Sequence, residues 1–315
     1  MKRLFICSTY YHTLITCIKA MSGIQTEIAV TDYIPEAEGL SERLQKSGLF
    51  GKVMLLHTPR EYKPANAFDK LFFLHSRNRS LVGRQLTVDL SGYDEINIFH
   101  DDTWFARYLK DARIPYVLIE DALDSFKSID QSVFGYMTKN GPKQWIKKLL
   151  GYGYVFVDQC PCVQSIEVNS ADGLDFSCEV KEVPRKPMFD SLSEADRKKL
   201  ADIFLPDVHD ESALHGTLIL TQPFADDGLM SLERQKEIFA GLSRSYPDAV
   251  IKPHPRDIAD YSDLGCPMLP KNVPFEVIEM CCSPHYSLAV SVSSTAVNGL
   301  RCADEKLLLG MDHIK

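Results

Sequence analysis

No stretch of this sequence approaches the ~20 consecutive apolar residues that a membrane-spanning helix requires, so an integral span is not expected. A basic surplus is also missing: Lys and Arg number 35 against 43 Asp and Glu, a formal net charge of −8. That balance argues against nucleic acid as the main partner, because binding to a phosphate backbone relies on excess cations. A small anionic ligand needs only a local cluster of donors. The nine cysteines are an odd number and include no C-x-x-C pair. Several lie in apolar runs such as Leu4-Phe5-Ile6-Cys7, where a reduced thiol packs as a small hydrophobe. The pattern argues against a zinc site and fits a reducing cytoplasm. The N-terminus opens on Met1-Lys2-Arg3, but its apolar run is broken by Ser8, Thr9, Tyr10, Tyr11 and His12, which makes a poor signal peptide. The expected location is cytoplasmic, at most peripheral at the inner face of the membrane.

Familiar catalytic signatures are missing as well. There is no G-x-G-x-x-G, no G-x-x-x-x-G-K-[ST] and no H-E-x-x-H, so dehydrogenase, P-loop and zincin readings lack support. Nor is there a D-x-D triplet of the kind that holds a nucleotide diphosphate through a divalent cation.

What is present is a long alternation of short apolar strands and helical patterns. At 315 residues, 45% hydrophobic, the chain has room for two domains of ordinary size. In the first part Leu4–Cys7, Glu27–Thr31, Lys52–Leu56, Glu95–Phe99 and Tyr116–Ile119 read as strands. Tyr11–Met21, Glu36–Ser47, most of Ala65–Leu90 and Thr103–Asp111 read as helices. Such alternation predicts βαβ units and a mostly parallel sheet. The pattern loosens between Asp124 and Pro206, where Tyr154–Val157 and Ser165–Val168 read as further strands. Pro184-Arg185-Lys186-Pro187 is the linker candidate, since two prolines and two charges disfavour regular structure. A helix over Ser193–Ile203 follows, with Ser193 as N-cap and Glu194 and Asp196 in its first turn. A second α/β series then runs through the strands Thr217–Thr221, Ala249–Lys252, Leu288–Val292 and Leu307–Leu309. Its helices are Leu232–Ser243, Phe275–Cys281 and Ser294–Cys302. The expected fold class is α/β, with two facing Rossmann-like domains, 1–188 and 189–315, and a cleft between them.

Ligands of such sheets bind beyond the carboxyl ends of the strands, and four strand ends carry polar clusters. They are Glu120-Asp121-Ala122, Asp226-Asp227-Gly228, Lys252-Pro253-His254-Pro255-Arg256-Asp257, and Ser293-Ser294-Thr295. Each has a plainer reading alone: helix cap, solvated loop or surface histidine. Their shared topological position in both halves favours function. His254 sits between two prolines that restrict the loop, and an imidazole can give a proton to an oxygen acquiring charge near neutral pH. Lys252 would add a compact positive charge. Ser293, Ser294 and Thr295, with the free N–H groups of the helix predicted from Ser294, would form an anion site. A carboxylate from Glu120-Asp121 or Asp226-Asp227 would deprotonate an attacking hydroxyl.

These motifs resemble those of bacterial GT-B sialyltransferases. Lys252-Pro253-His254-Pro255 is similar to their HP motif, Ser293-Ser294-Thr295 to their Ser-Ser/Thr motif, and Glu120-Asp121-Ala122 to their acidic D/E-D/E-G motif. The order and length resemble glycosyltransferase family 52, which contains lipooligosaccharide and capsule α-2,3-sialyltransferases. Pro274-Phe275-Glu276-Val277 resembles a segment that places a carboxylate on the cytidine ribose in related enzymes, and Tyr93–Ile96 with Phe99–Asp102 also looks like this family. The resemblance implies a GT-B fold, a CMP-sialic acid donor, a galactoside acceptor on a surface glycan, inversion at the anomeric carbon, no cofactor and no metal. It makes His254 the general acid or phosphate ligand, with Lys252 and Pro255 around it. It puts Phe275 and Glu276 at the ribose and Ser293, Ser294 and Thr295 at the phosphate. Ala122 departs from the motif's glycine, so Asp227, followed by Gly228, competes with Asp121 as base; the motif favours Asp121, with Glu120 beside it.

The same phosphate-handling logic serves CMP-Kdo, CDP-glycerol or another nucleotide sugar, and a catalytically silent nucleotide-binding subunit is the alternative outside the transferases. Lys143–Leu150 is a basic amphipathic segment suited to an anionic membrane surface, or else a solvated helix face with Trp145 packed inward. His12, His57, His75, His100 and His285 read as structural or surface residues, with His100 the one placed for acceptor contact. The family resemblance also suggests a homodimer.

Overall fold

Short apolar runs become buried parallel strands here, while Glu179–Glu182 and Ala303–Leu308 pair at sheet edges and stay largely exposed. The computed structural model describes residues 1–57, 89–101, 103–122, 125–128, 162–176, 178–205, 211–294 and 296–314. The chain divides into two units, Met1–Leu192 and Ser193–Lys315.

The first unit contains β1 (Lys2–Cys7), α1 (Tyr10–Ala20), β2 (Gln25–Thr31), α2 (Ala37–Lys46), β3 (Lys52–Leu56), β4 (Glu95–Ile98), α3 (Trp104–Ala112), β5 (Tyr116–Ile119), β6 (Val163–Val168), β7 (Glu179–Glu182) and α4 (Arg185–Asp190). Its strands form one sheet in the order β3-β2-β1-β4-β5-β6-β7, every pairing parallel. Leu4, Ile6, Ile96, Ile98, Phe105, Leu118 and Ile166 belong to its core. Thr9 starts α1 by accepting the N–H of His12 at 3.1 Å, an N-cap bond that satisfies one orphan donor of the first turn. The chain proceeds from β1 outward to β3, then returns to lay β4 on the other side of β1. The crevice beyond the carboxyl ends of β1 and β4 is therefore the topological switch point, the usual ligand position in such sheets.

The expected linker is corrected. Pro184–Pro187 opens α4, and Arg185 is buried, with its guanidinium 2.8 Å from Glu167 Oε1. Lys19 holds the other oxygen of Glu167 at 2.6 Å, and the Arg185 N–H donates to Asn169 Oδ1 at 2.9 Å. These contacts keep α4 within the first unit and move the division from the expected 188 to Leu192.

The second unit opens at α5 (Glu194–Phe204), where Ser193 and Asp196 form a reciprocal capping box. It continues through β8 (His215–Leu220), α6 (Leu232–Ser245), β9 (Ala249–Lys252), α7 (Phe275–Cys282), β10 (His285–Ser291), α8 (Ala296–Gly299) and β11 (Ala303–Leu308). The strand order is β11-β10-β8-β9, again all parallel, so the loops after β8, β9 and β10 emerge at one end of the sheet. The helix expected over Ser294–Cys302 is corrected to the four residues of α8. Glu279 Oε1 accepts the N–H groups of Arg301 (2.7 Å) and Cys302 (3.1 Å), which draws the chain away from a further helical turn.

Most of the helical stretch expected over 65–90, the strand at 154–157, the basic segment 143–150, His75 and Thr295 lie outside the described residues. Among the described residues the cysteines are free thiols, and burial pushes Cys7 up to about 12. None of the described helices is long and apolar enough to cross a membrane.

Burial alone would push the Glu167 carboxyl up, but Lys19 and Arg185 outweigh it and hold it below the usual range. Its stabilisation is expected in full above the unfolded carboxylate value of about 4.3 and lost as the pH falls through the lower folded value. Glu167→Gln strands the buried Arg185 charge, with an expected loss of about 3–5 kcal/mol in chemical denaturation at neutral pH. A loss within experimental error would remove this pair as the anchor of α4.

Candidate active site

β9 carries a fully buried Ala249-Val250-Ile251-Lys252 run and delivers Pro253-His254-Pro255 at its carboxyl end. The loop is held from beneath by a buried hydrogen-bond network around Asp257. The His254 N–H donates to Thr221 Oγ1 at 3.0 Å, and that hydroxyl donates onward to Asp257 Oδ2 at 2.5 Å. Tyr261 OH reaches the same oxygen at 2.9 Å, while Gln235 Nε2 and the Ala259 N–H donate to Oδ1 at 2.7 and 2.9 Å. The Asp257 N–H in turn donates to the His254 carbonyl at 2.8 Å. His254 is half-buried, and its Nδ1 accepts the Arg256 N–H at 3.1 Å. A nitrogen that accepts a fixed backbone donor carries no proton itself, so neutral His254 has its proton on Nε2. Burial, with Arg256 and Lys252 nearby, lowers the pKa of His254 against the opposing pull of Asp257 and Asp227.

The loop after β8 carries the acidic pair. Arg256 Nη1 lies 2.9 Å from both Asp226 Oδ2 and Asp227 Oδ1, so the histidine loop and the acidic loop are joined by one guanidinium. They are joined a second time underneath, where Gln235 Oε1 accepts the Ala225 N–H at 2.7 Å. Gly228 has φ 71°, the left-handed region that glycine enters without steric cost. The triplet Asp226-Asp227-Gly228 thus has its glycine where the backbone needs one.

Other expected ligands fare differently. Lys252 is buried, and its ammonium donates to the carbonyls of Pro253 (3.3 Å), Pro270 (2.9 Å) and Lys271 (3.1 Å). All three N–H donors are used, so the expectation that it presents a charge to phosphate is corrected: it ties β9 to the segment leading into α7. Burial lowers its pKa to about 7, opposed by Glu276. Glu276 is half-buried in the first turn of α7, and burial raises its carboxyl above the usual range. Beside it Phe275 makes a tilted contact with Tyr286, ring centroids 6.3 Å apart. Ser294 Oγ accepts the Ala296 N–H at 3.3 Å, and the Ser294 N–H donates to Ser291 Oγ at 3.0 Å. Ser293 is half-buried, with a hydroxyl that has no partner among the described residues. A four-residue helix carries little macrodipole, so the anion site expected at its N-terminus reduces to the serine hydroxyls and loop N–H groups.

In the first unit Glu120 is buried and braces the chain: Oε2 accepts the Asn169 N–H at 2.7 Å and Oε1 the Phe126 N–H at 3.5 Å. Its expected role as a base is corrected accordingly. Asp121 Oδ1 lies 2.5 Å from His12 Nε2 and 3.1 Å from His100 Nε2. Burial would raise the Asp121 carboxyl, but His12 and His100 together bring it below its usual value. Burial takes His12 down to about 4, against the pull of Asp121.

Sequence reasoning passed over Thr221, Gln235 and Tyr261, which hold the histidine loop, and took His12 for a structural residue. Only the spacing of Asp257, three residues past His254, hinted at the network. Replacing Arg256 by Gln removes a positive charge and frees two carboxylates. The His254 pKa should then rise towards its ordinary value in an imidazole NMR titration; an unchanged or lower value would show that this guanidinium does not tune the histidine.

The model of glycosyltransferase family 52 matches residues 99–309, from the end of β4 to just past β11. No curated protein sequence matches the chain. Among solved structures, the spinosyn forosaminyltransferase SpnP is similar at 16% identity and TM-score 0.48, covering 99% of this chain and 81% of that one. The UDP-GlcNAc 2-epimerase from Neisseria meningitidis bound to UDP-GlcNAc is similar at 13% identity and TM-score 0.46, covering 93% and 78%. The match of the family model over most of the chain, on two α/β units with parallel sheets, makes the protein a member of glycosyltransferase family 52.

Proposed function

We propose that this glycosyltransferase moves sialic acid from CMP-sialic acid to a galactoside of a surface glycan, with inversion and without a metal. The observation that carries the reading is the fixed tautomer of His254. With Nδ1 engaged by the Arg256 N–H, the Nε2 proton is the one available to a phosphate oxygen. The donor has a single phosphate, which an imidazole N–H and the Ser293 hydroxyl suit. Glu276, in the first turn of α7, is the candidate partner of the ribose hydroxyls, with Phe275 and Pro255 as apolar contacts. Thr295 belongs to the same proposed set by its place in the Ser-Ser/Thr motif.

In the proposed step the acceptor hydroxyl loses its proton to a carboxylate, and its oxygen bonds to the anomeric carbon from the face opposite the phosphate. The bond from that carbon to the phosphate oxygen breaks, and CMP leaves as the anion with the electron pair of that bond, stabilised by the hydrogen bond that His254 Nε2 donates to it. Asp227 is the preferred base. It lies in the same unit as His254, in a triplet that matches D/E-D/E-G letter by letter, and Gly228 adopts the left-handed conformation. Asp121, in the first unit with His100 beside its carboxylate, is read as a binding group.

The test is turnover of CMP-sialic acid, by hydrolysis without acceptor and by transfer to lactose. The wild type should catalyse both, and His254→Ala should lower kcat by roughly 10²–10³-fold. Unchanged turnover in the variant would remove His254 from the chemistry. Inactivity towards CMP-sialic acid, together with tighter binding of UDP than of CMP, would overturn the donor.

A further inference from the structure

The cluster of His12, His100 and Asp121 takes no part in the steps above, yet three neighbouring strands deliver it to one place. His12 comes from α1, directly after β1; His100 lies two residues beyond β4, and Asp121 two residues beyond β5. Strands β1, β4 and β5 are adjacent in the sheet, and the chain reverses direction across it between β1 and β4. Open parallel sheets take their ligands at that position.

Histidine tautomers decide what this cluster can hold. His12 is fully buried and stacked on Phe99, ring centroids 4.2 Å apart and planes within 5°. Its Nδ1 accepts the Ser8 N–H at 3.2 Å, which leaves its proton on Nε2, directed to Asp121 Oδ1 at 2.5 Å. A ring nitrogen that carries a proton has no lone pair for a cation. Although the three ligand atoms lie within 4.8 Å of one another, the buried histidine is therefore a donor to the carboxylate and not a metal ligand. The carboxylate keeps Oδ2 without a partner among the described residues, on a side chain 39% exposed. His100 stands edge-on to His12, with its Nε2 3.1 Å from Asp121 Oδ1 and its side chain 32% exposed. An anionic acceptor and an imidazole thus sit side by side, both open to solvent. A neutral pair of adjacent hydroxyls is their chemical complement: one O–H to give, and a neighbouring oxygen to share with the ring.

We propose that Asp121 and His100 bind a vicinal diol of a sugar at the switch point of the first unit, with His12 as the buried positioning residue that fixes the carboxylate. The inference rests on the glycosyltransferase reading and deepens it, since the sugar would belong to the glycan acceptor.

The experiment is calorimetric or saturation-transfer NMR titration of the full chain with lactose in the absence of any nucleotide donor. Asp121→Asn is the informative variant: its Oδ1 still accepts from His12, but an NH₂ replaces the free acceptor. Lactose affinity should fall by about tenfold or more, the effect of losing a hydrogen bond to a charged group, with an unchanged circular dichroism spectrum. His100→Gln should weaken it as well. His12→Gln, which keeps an N–H donor, should restore most of the affinity lost in His12→Leu. Equal affinity in wild type and Asp121→Asn would overturn the proposal, as would absence of lactose binding by the wild type. Stoichiometric Zn²⁺ binding that disappears in His100→Gln would replace the diol with a metal. Donor hydrolysis by the wild type judges the sialyltransferase reading separately, because it requires no acceptor.

Discussion

The candidate chemistry depends on one buried carboxylate. Asp257 accepts four hydrogen bonds, from Thr221, Tyr261, Gln235 and the Ala259 N–H, and two of these partners face outward to the functional loops. Thr221 passes the constraint to the main chain of His254, and Gln235 passes it to Ala225, beside Asp226. Every donor direction follows from the chemistry: the hydroxyl that receives the His254 N–H must give its own proton to the carboxylate, and the Gln235 amide has its oxygen on a backbone N–H. A buried polar network of this kind holds its geometry only while all members are satisfied. Two loops from different strands are thereby fixed with respect to each other before any ligand binds, which is what pre-organised catalysis requires.

Above that base the charges are paired with equal economy. Arg256 reaches from the histidine loop to both aspartates of the acidic loop, and its backbone N–H sets the tautomer of His254. Lys252 turns inward to three carbonyls and links the same strand to the approach of α7, where Phe275 and Glu276 begin. The cation two residues before the histidine is thus a structural tie, while the one two residues after it faces the acidic pair. In the first unit the same principle recurs with a neutral donor: His12, fixed by Ser8, holds Asp121.

Much of this was legible in the sequence, for definable reasons. Stretches such as Tyr116–Ile119 and Ala249–Ile251 are continuous apolar runs with no alternative place to go, and the Ser193 cap announces α5 through local bonding alone. Features set by distant partners were not legible. Arg185 looked like linker because its buried partner, Glu167, lies on β6, 18 residues earlier. The helix after Ser294 was drawn too long because its end is decided by Glu279, on α7. His12 looked structural because its partner Asp121 is 109 residues away. Lys252 looked like a phosphate ligand because nothing in its neighbourhood of sequence reveals that three carbonyls converge on it. Motif position singles out the candidate loops; tertiary hydrogen bonding decides which of their side chains are tied inward.

In the proposed function, His254 donates its Nε2–H to the phosphate of a CMP-linked donor. The most direct measurement is a crystal structure of the full chain with CMP bound. A phosphate oxygen is expected within hydrogen-bond distance of His254 Nε2, with Ser293 Oγ at another oxygen and Glu276 at the ribose. A phosphate held elsewhere, with His254 Nε2 facing solvent or protein, would contradict it.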